Sequence, residues 1–361
     1  MLDRLGTFLT RTAGNKDTAE RFGMADFLAY GYLLLGVLIV LVPVLWTFFS
    51  SIKPERAVDS FDTRLLPIAQ VQTEIEGIGT KPEWIHEAED GGERKVFKAG
   101  PTRKETDVAP IEDPGDVFKV PRTQLRPSEE VRVATENYLD PLLKRHGQEN
   151  FTFGIYLFNS IFVTAMATLI TLIINAMAAF ALSKYRFRGR LTFTILIVAT
   201  LLIPSSIILV SLFFVVWSFG IFGSLWGVII PAAATPTGVF LLRQYMLTIP
   251  DELLEAARMD AASEWRIFWR IVMPLSLPAL SVLAILSVIW RWNDFLWPLI
   301  VLISDPEKHT IQLGLTQYAG EFDTDFHYIL AMTVVSLIPI TLVFVWLQRF
   351  ITTGIATTGL K

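Results

Sequence analysis

The stretch that best indicates a specific function is residues 255–263, which read Glu-Ala-Ala-Arg-Met-Asp-Ala-Ala-Ser. It is polar and helical in character, although apolar segments flank it on both sides. Pro250 suits the first turn of a helix, where its missing N–H costs nothing, and Ser263 is a good cap for a second helix. The small side chains of Ala256 and Ala257 leave room for close approach by another backbone. We expect a helix–turn–helix that docks in a groove of a partner.

An apolar side of the first of these two helices is also predicted. Leu253, Leu254, Ala257 and Met259 can supply it, and Asp251 lies at the positive end of the helix dipole. The less specific alternative is an amphipathic interfacial loop that has no docking role.

Three polar residues in the last third of a later apolar run are candidates for a solute pathway: Arg291, Asn293 and Asp294. Ionisable groups within membrane spans are functional candidates by default. A rise of about 1.5 Å per residue from Ser276 places Arg291 and Asp294 in the outer third of a core about 30 Å thick. Their spacing puts both on one helical face, where they can pair. Structural anchoring and substrate contact therefore both fit this position.

Several kinds of chemistry are excluded by what the chain lacks. It contains no cysteine, so disulfides and thiol catalysis are not available, and its four histidines show no metal-ligand spacing. It also contains no Gly-x-x-x-x-Gly-Lys-Ser/Thr motif for binding phosphate. We therefore predict that the chain is not an enzyme and carries no cofactor. If ATP drives its function, ATP and Mg²⁺ bind to another subunit.

The elements that must position these residues are membrane-spanning helices. The chain has 361 residues, of which 52% are hydrophobic, and its mean hydropathy is +0.47. A helix of roughly 20 apolar residues crosses a bilayer and satisfies its own backbone hydrogen bonds. Six apolar runs are long enough: 27–49, 159–182, 192–217, 224–246, 276–303 and 329–350.

Basic residues in short loops predict the orientation. Residues 184–190 contain four basic residues and no acid, and Arg258, Arg266 and Arg270 follow the fourth run. The loop after the fifth run is instead mostly acidic. We expect both termini and the two basic loops to be cytoplasmic in a multi-pass protein of the bacterial inner membrane.

These runs divide the chain into segments. The predicted segments are a cytoplasmic N-terminal segment 1–26, a first span 27–49, an external insertion 50–150, a five-helix core 151–350 with a cytoplasmic loop 247–275, and a cytoplasmic tail 351–361. Within the insertion, residues 71–75, 95–98 and 117–120 alternate as strands do, which predicts a small β-containing subdomain. A disordered linker is the alternative, because apolar residues are few there.

The Glu-Ala-Ala run, Asp260 and the Pro-Leu-Ser-Leu-Pro stretch at 274–278 together resemble the EAA loop of ABC-importer permeases. Residues 135–138 and 292–299 and the C-terminal segment from Gln348 resemble the carbohydrate-uptake group of that family, of the maltose-transporter MalG type. The resemblance covers roughly residues 20–60 and 135–361.

The resemblance implies a type I ABC importer permease fold: an all-α polytopic protein with six transmembrane helices, here with the β-containing insertion between the first two. It implies that the loop containing Glu255, Ala256, Ala257, Asp260 and Ala261 is a coupling helix seated in a cleft of an ATP-binding subunit. The implied partners are a second, homologous permease subunit, two ATP-binding subunits and an external solute-binding protein. The implied substrate is a sugar, with an oligosaccharide or glucoside expected.

One residue departs from the family pattern. The family usually has glycine at the position of Ala261, and alanine in a left-handed conformation costs about 1–2 kcal/mol. We therefore expect Ala261 to adopt an ordinary right-handed conformation.

Three other functions remain open from sequence. An ion-coupled secondary transporter would need buried acidic relays and inverted repeats, and neither is evident. A permease for a peptide, an amino acid or phosphate would share the ABC mechanism but not the sugar. A membrane scaffold that does not transport would use the external segment to bind a partner.

Overall fold

The computed structural model describes residues 24–60, 62–87, 92–100, 105–143, 152–320 and 324–358. The chain separates into two compact units, residues 1–49 and residues 50–361. Most of the predicted N-terminal segment and the last three residues of the predicted tail lie outside the described residues.

A single long helix, α1 (Met24–Ser51), contains all the described residues of the first unit. It is long and apolar enough to cross a membrane over residues 26–51. Pro43 lies inside it, and the Thr47 hydroxyl donates a hydrogen bond of 2.9 Å to the Pro43 carbonyl oxygen.

The second unit begins with a short helix, α2 (Glu55–Asp59), and a strand-rich segment. The strands are β1 (Ile68–Gln70), β2 (Gln72–Ile75), β3 (Gly79–Glu87), β4 (Glu93–Lys98), β5 (Glu105–Pro110), β6 (Phe118–Pro121), β7 (Leu125–Pro127) and β8 (Glu129–Val131). Strands β1 and β8 pair antiparallel with Gln70 opposite Glu129, which brings the two ends of the segment together. The other strands form one sheet in the order β2-β3-β4-β5-β6, with β7 also paired to β3.

The strand-rich segment buries small apolar clusters on both faces of the larger sheet. One cluster contains Ile75, Phe97 and Ala109, and the other is built around Val96 and Val108. Adjacent residues such as Val96 and Phe97 fall into different clusters because side chains alternate between the faces of a strand. The three strands predicted from alternation correspond to β2, β4 and β6, so the disordered alternative is wrong for the described residues.

A buried carboxylate ties the strands of this sheet together. Glu83 on β3 is paired with Lys95 at 2.9 Å, and it accepts hydrogen bonds from Ser128 at 2.8 Å and Thr73 at 3.0 Å. Burial by itself raises the pKa of the Glu83 carboxyl, but these three hydrogen bonds outweigh burial and the pKa lies below its usual value.

We predict that Glu83→Gln destabilises the sheet by about 2 kcal/mol, because it removes a charge to which three donors are directed. The pKa of Glu83 is lower in the folded protein than in the unfolded chain, so the ionised carboxylate stabilises the fold. This stabilisation is fully present above the unfolded-state pKa of about 4.3, and it is lost as the pH falls through the folded-state pKa. Amide hydrogen exchange of β3 and β4 at pH 7 and at about pH 3.5 measures both effects. The exposed Glu76→Gln is the matched control; equal protection in the two variants would contradict the prediction.

The remaining elements are helical. They are α3 (Glu136–Leu143), α4 (Phe153–Lys184), α5 (Arg190–Thr200), α6 (Ser205–Ser218), α7 (Leu225–Ile229), α8 (Pro236–Met246), α9 (Asp251–Met259), α10 (Glu264–Ile267), α11 (Met273–Leu275), α12 (Leu277–Trp292), α13 (Leu296–Leu302), α14 (Ile311–Thr316) and α15 (Phe326–Thr358). A π-helical turn (Phe268–Val272) connects α10 to α11.

Three of the six predicted spans are not continuous helices. Within the described residues, only α1, α4 and α15 are each long and apolar enough to cross a membrane alone, and a fourth is obtained if the bent pair from Glu264 to Trp292 counts as one. The run 192–217 is broken between α5 and α6, the run 224–246 between α7 and α8, and the run 276–303 between α12 and α13.

Each break has a local cause in the sequence. Pro204 precedes α6 with extended backbone angles, and Pro236 occupies the first turn of α8. Proline favours helix starts because it lacks an N–H donor and fixes φ. Between α12 and α13, Asn293 ends one helix, and Asp294 accepts a hydrogen bond from the Trp297 N–H at the start of the next. Hydropathy does not register these breaks because the flanking residues remain apolar.

A buried amide fixes the broken fourth run against α4. The Asn175 side chain donates to Thr235 Oγ1 at 2.7 Å and accepts from the Thr235 N–H at 3.2 Å. Thr235 in turn caps α8 by accepting from the Gly238 N–H at 3.3 Å. A Cβ atom at Gly238 would lie 2.2 Å from Asn175 Nδ2, so this close contact requires glycine. These contacts therefore fix the start of α8 next to Asn175 of α4.

Candidate functional site

Helices α9 and α10 form the predicted helix–turn–helix at residues 251–267. Pro250 precedes the first residue of α9, and Ser263 caps α10 by accepting a hydrogen bond from the Arg266 N–H at 3.4 Å. Both features were expected from the sequence, and the structure confirms them.

The inner face of α9 packs into the main apolar cluster of the helical unit. Leu254 is only 2% exposed and lies with Phe180 of α4, Leu242 and Met246 of α8, and Ile267 of α10. Ala257, one turn later, is partly buried against the same cluster. Burying one leucine contributes roughly 1.5–3 kcal/mol, so Leu254 holds the helix firmly on the ends of α4 and α8.

Polar contacts hold both ends of the helix pair. Lys184, at the end of α4, places its ammonium 2.7 Å from the Asp251 carboxylate, and the pKa of Asp251 lies below its usual value because of this hydrogen bond. Arg258 pairs with Glu264 at 2.8 Å across the turn. The Tyr185 hydroxyl is 2.5 Å from the other oxygen of Glu264, and burial together with Glu264 raises the pKa of Tyr185 to about 12.

The turn between the helices forms a Schellman motif around Ala261. The Ala262 N–H bonds to the Ala257 carbonyl at 3.0 Å, and the Ala261 N–H bonds to the Arg258 carbonyl at 3.0 Å. This motif requires a left-handed residue after the helix cap, usually glycine. Ala261 has φ 54°, and it is the only non-glycine residue with positive φ among those described.

The expectation of a right-handed Ala261 is therefore wrong. The physical reason is that two backbone hydrogen bonds and the packing of Ala257 and Ala262 against the core determine the turn. Together they outweigh the roughly 1–2 kcal/mol that a left-handed alanine costs.

The outer face of α9 is solvent-accessible. Glu255, Ala256, Asp260 and Ala261 are exposed, whereas Ala257 faces partly inward. Of the two small side chains predicted to allow close approach of another backbone, only Ala256 lies on the outer face.

Three large apolar side chains extend this outer surface. Met259 is 88% exposed and Leu253 is 46% exposed, although the sequence placed both on the apolar inner side, and Trp265 is also exposed. The sequence signal for Met259 and Trp265 is a large apolar side chain on either side of a charged turn, outside any apolar run. The anchoring residues Lys184 and Tyr185 are also not predicted, because they are distant from α9 in sequence.

The second predicted site does not form an ion pair. Arg291 donates from Nη2 to the Ala232 carbonyl oxygen, in the break before α8. The Asn293 side chain donates to the Ile289 carbonyl at 2.8 Å, and Asp294 bonds to the Trp297 N–H. Helix α12 ends at Trp292, so regular helical spacing does not apply between Arg291 and Asp294. All three side chains instead satisfy backbone groups at helix breaks.

With the geometry of both sites established, the chain can be compared with known proteins. The family described as "Binding-protein-dependent transport system inner membrane component" matches residues 171–357, more than half of the chain and all of the α9–α10 loop. The chain belongs to this family. The expected resemblance to ABC-importer permeases of the carbohydrate-uptake group is confirmed by this match together with the relatives that follow.

Relatives of this permease have specific names. The permease is 33% identical over 244 residues to the arabinooligosaccharides transport system permease protein AraQ of Bacillus subtilis (strain 168), covering 66% of this chain and 86% of AraQ. It is 34% identical over 211 residues to the sn-glycerol-3-phosphate transport system permease protein UgpE of Yersinia enterocolitica, covering 58% and 75% of the two chains.

A solved structure shares the fold of the permease. A chain from the crystal structure of a bacterial ABC transporter involved in the import of the acidic polysaccharide alginate superimposes with a TM-score of 0.63. The two chains are 23% identical, and the match covers 92% of this chain and 99% of the other. The type I ABC importer permease fold is therefore supported.

We predict that Ala261→Gly stabilises the permease by about 0.5–1 kcal/mol, since glycine removes the left-handed strain but gives the unfolded chain more freedom. Hydrogen exchange of residues 251–263 should slow in this variant. Ala262→Gly, the matched control at an ordinary φ, should accelerate exchange by weakening contact with the core. Faster exchange in both variants would contradict a strained turn.

Proposed function

We propose that this permease is one membrane subunit of an ATP-driven importer that carries a carbohydrate into the cell. Its membership in the binding-protein-dependent transport family supports an ABC mechanism over ion-coupled transport and over a scaffold without transport activity. The absence of a phosphate-binding motif in its sequence supports ATP hydrolysis on a separate subunit.

The observation that carries the proposal is the two-sided character of α9. Its inner face is buried through Leu254 on the ends of α4 and α8, while Glu255, Ala256 and Met259 are exposed. A helix held in this way can receive force on its outer face and transmit it to the membrane helices. The outer surface of α9 suits a groove on an ATP-binding subunit. It presents the small side chain of Ala256 beside the acidic side chains of Glu255 and Asp260.

In the proposed topology the chain crosses the membrane six times. The pairs α5–α6 and α7–α8, and α12 with α13, then form three broken spans beside the continuous α1, α4 and α15. Broken helices are tolerated at membrane depth where their freed backbone groups find partners, as Arg291 and Asn175 illustrate here. Both termini and the α9–α10 loop face the cytoplasm, and the strand-rich segment lies outside, as the basic loops indicate.

The proposed assembly contains a second, homologous permease subunit, two ATP-binding subunits with their ATP and Mg²⁺, and an external solute-binding protein. The family description names binding-protein dependence directly. No nucleotide or catalytic cofactor is proposed on this chain, because its sequence lacks cysteine and a phosphate-binding motif.

The proposed substrate is an oligosaccharide. The relative AraQ is named for arabinooligosaccharide transport, and the structural neighbour belongs to a transporter of a polysaccharide. The name of UgpE favours a second candidate within the same mechanism, a phosphorylated polyol. Direct uptake assays with both classes of solute separate them.

The proposal as a whole is tested by isolating the complex from its native membrane and identifying its subunits by mass spectrometry. An ATP-binding subunit, a second permease and a solute-binding protein are expected. Isolation of the permease with none of them, together with uptake that persists after ATP depletion, would overturn the proposed mechanism.

We predict that Glu255→Lys lowers solute uptake at least about tenfold, within the usual range of coupling between sites, while membrane insertion is retained. The reversed charge lies on the exposed face and disrupts docking without disturbing Leu254. Uptake and ATP hydrolysis in proteoliposomes are the measurements. Glu307→Lys, the same charge reversal on an exposed turn between α13 and α14, should leave both unchanged. Equal uptake in the two variants would refute the coupling assignment.

We predict that the strand-rich segment contributes to engagement of the solute-binding protein. Because Gln70 lies opposite Glu129 in the β1–β8 pair, residues 71–128 can be replaced by Asn-Gly, which suits a two-residue hairpin turn. Affinity for the binding protein should fall at least about tenfold, equivalent to about 1.4 kcal/mol, with basal ATP hydrolysis retained. Unchanged affinity would assign the segment no part in docking.

A further inference from the structure

A histidine and two carboxylates meet at the junction of α2 and α15. Glu55 is the first residue of α2, Asp325 immediately precedes α15, and His327 is the second residue of α15. One potential ligand atom from each residue lies within 4.8 Å of those of the other two. The two helices are in contact, so residues far apart in sequence are brought together by the fold.

The histidine is the unusual member of this cluster. His327 is only 6% exposed, and its Nδ1 atom is buried without a hydrogen-bond partner among the described residues. An unpaired buried nitrogen of this kind costs roughly 1–3 kcal/mol. A metal ion bonded to the imidazole would remove that cost. His327 and Glu55 both line a cavity of about 600 Å³, which gives a hydrated ion a route of entry.

The backbone around the cluster is fixed. The Asp325 N–H bonds to the Tyr318 carbonyl at 3.0 Å, and the Asp325 carbonyl accepts from the N–H groups of Tyr328 and Ile329 at 3.0 and 3.1 Å. Asp325 is therefore locked to the first turn of α15, two residues from His327. Pre-organised ligands of this kind lose little freedom when an ion binds.

The donor set favours a transition metal over calcium or magnesium. Imidazole nitrogen suits Zn²⁺, and carboxylate oxygens complete a three-residue set that leaves a further position for water. Ligand bonds to Zn²⁺ are about 2.0–2.2 Å, so two ligand atoms at the tetrahedral angle lie about 3.4 Å apart. The ligand atoms here lie within 4.8 Å of one another, so binding requires side-chain rotations that close a gap of at most about 1.4 Å.

We propose that Glu55, Asp325 and His327 form a Zn²⁺ site that clips α2 to the start of α15. The ion would tie the segment following the first membrane helix to the beginning of the last one. Zinc binding at these residues does not depend on which solute the permease carries.

The test uses the full-length permease in lipid nanodiscs, stripped of metal with a chelator and titrated with Zn²⁺ alone. One Zn²⁺ per chain is expected at micromolar or lower concentration, with a rise of several degrees in the unfolding midpoint, since an ion that binds only the folded state stabilises it. Zinc-edge X-ray absorption should report a single imidazole in a nitrogen and oxygen ligand shell.

Matched variants distinguish this site from incidental binding. Glu55→Gln, at an exposed position, and His327→Asn should each weaken Zn²⁺ binding at least about tenfold and abolish the rise in midpoint. His86→Asn, in the sheet, should bind as the unaltered chain does. Ca²⁺ should give no stabilisation at the same concentration. Zinc binding that is absent, unaffected by both cluster variants, or lost equally in the His86 variant would overturn the proposal.

Discussion

The helical unit depends on one constraint, which is that backbone polar groups away from water must be satisfied within the protein. Helix α4 meets it for its entire length of 32 residues, and the broken segments are organised around it. At the break between α7 and α8, α4 and α12 supply hydrogen-bond partners. Asn175 of α4 bonds to Thr235, and Arg291 of α12 donates to the Ala232 carbonyl. This break is thus held in place by polar contacts.

The same helix positions the loop on which transport coupling is proposed to depend. The end of α4 provides Lys184 and Tyr185, which hold Asp251 and Glu264 on the two members of the helix pair. The carboxylates of both contacts are at least partly solvent-accessible, so each contact contributes little by itself, whereas the fully buried Leu254 contributes more. Burial of Leu254 therefore holds α9 against α4 and α8, and the charged contacts fix the orientation of the helix pair. A helix held by both can be displaced as a rigid body together with α4 and α8.

Sequence patterns predicted the parts of this structure that rest on local chemistry. The capping Ser263, the start of α9 after Pro250 and the three alternating strands all follow from neighbouring residues. The breaks within the apolar runs also have local causes, at Pro204, Pro236 and Asn293, but hydropathy does not register them. The partner of Arg291 does not follow from neighbouring residues, because Ala232 is far from it in the chain. Ala261 is a case in which a prediction from local preference is wrong. Its local preference is for a right-handed conformation, and the hydrogen bonds of Ala261 and Ala262 override it.

The pairing of β1 with β8 has a consequence for how this chain is made. A segment whose ends already meet adds little loop-closure entropy to the fold that carries it, because that cost grows only with the logarithm of length. Its sheet is built from antiparallel neighbours that are mostly consecutive along the chain. Contacts of this kind form quickly. The strand-rich segment can therefore fold independently, while the membrane helices that follow it are still being synthesised and inserted.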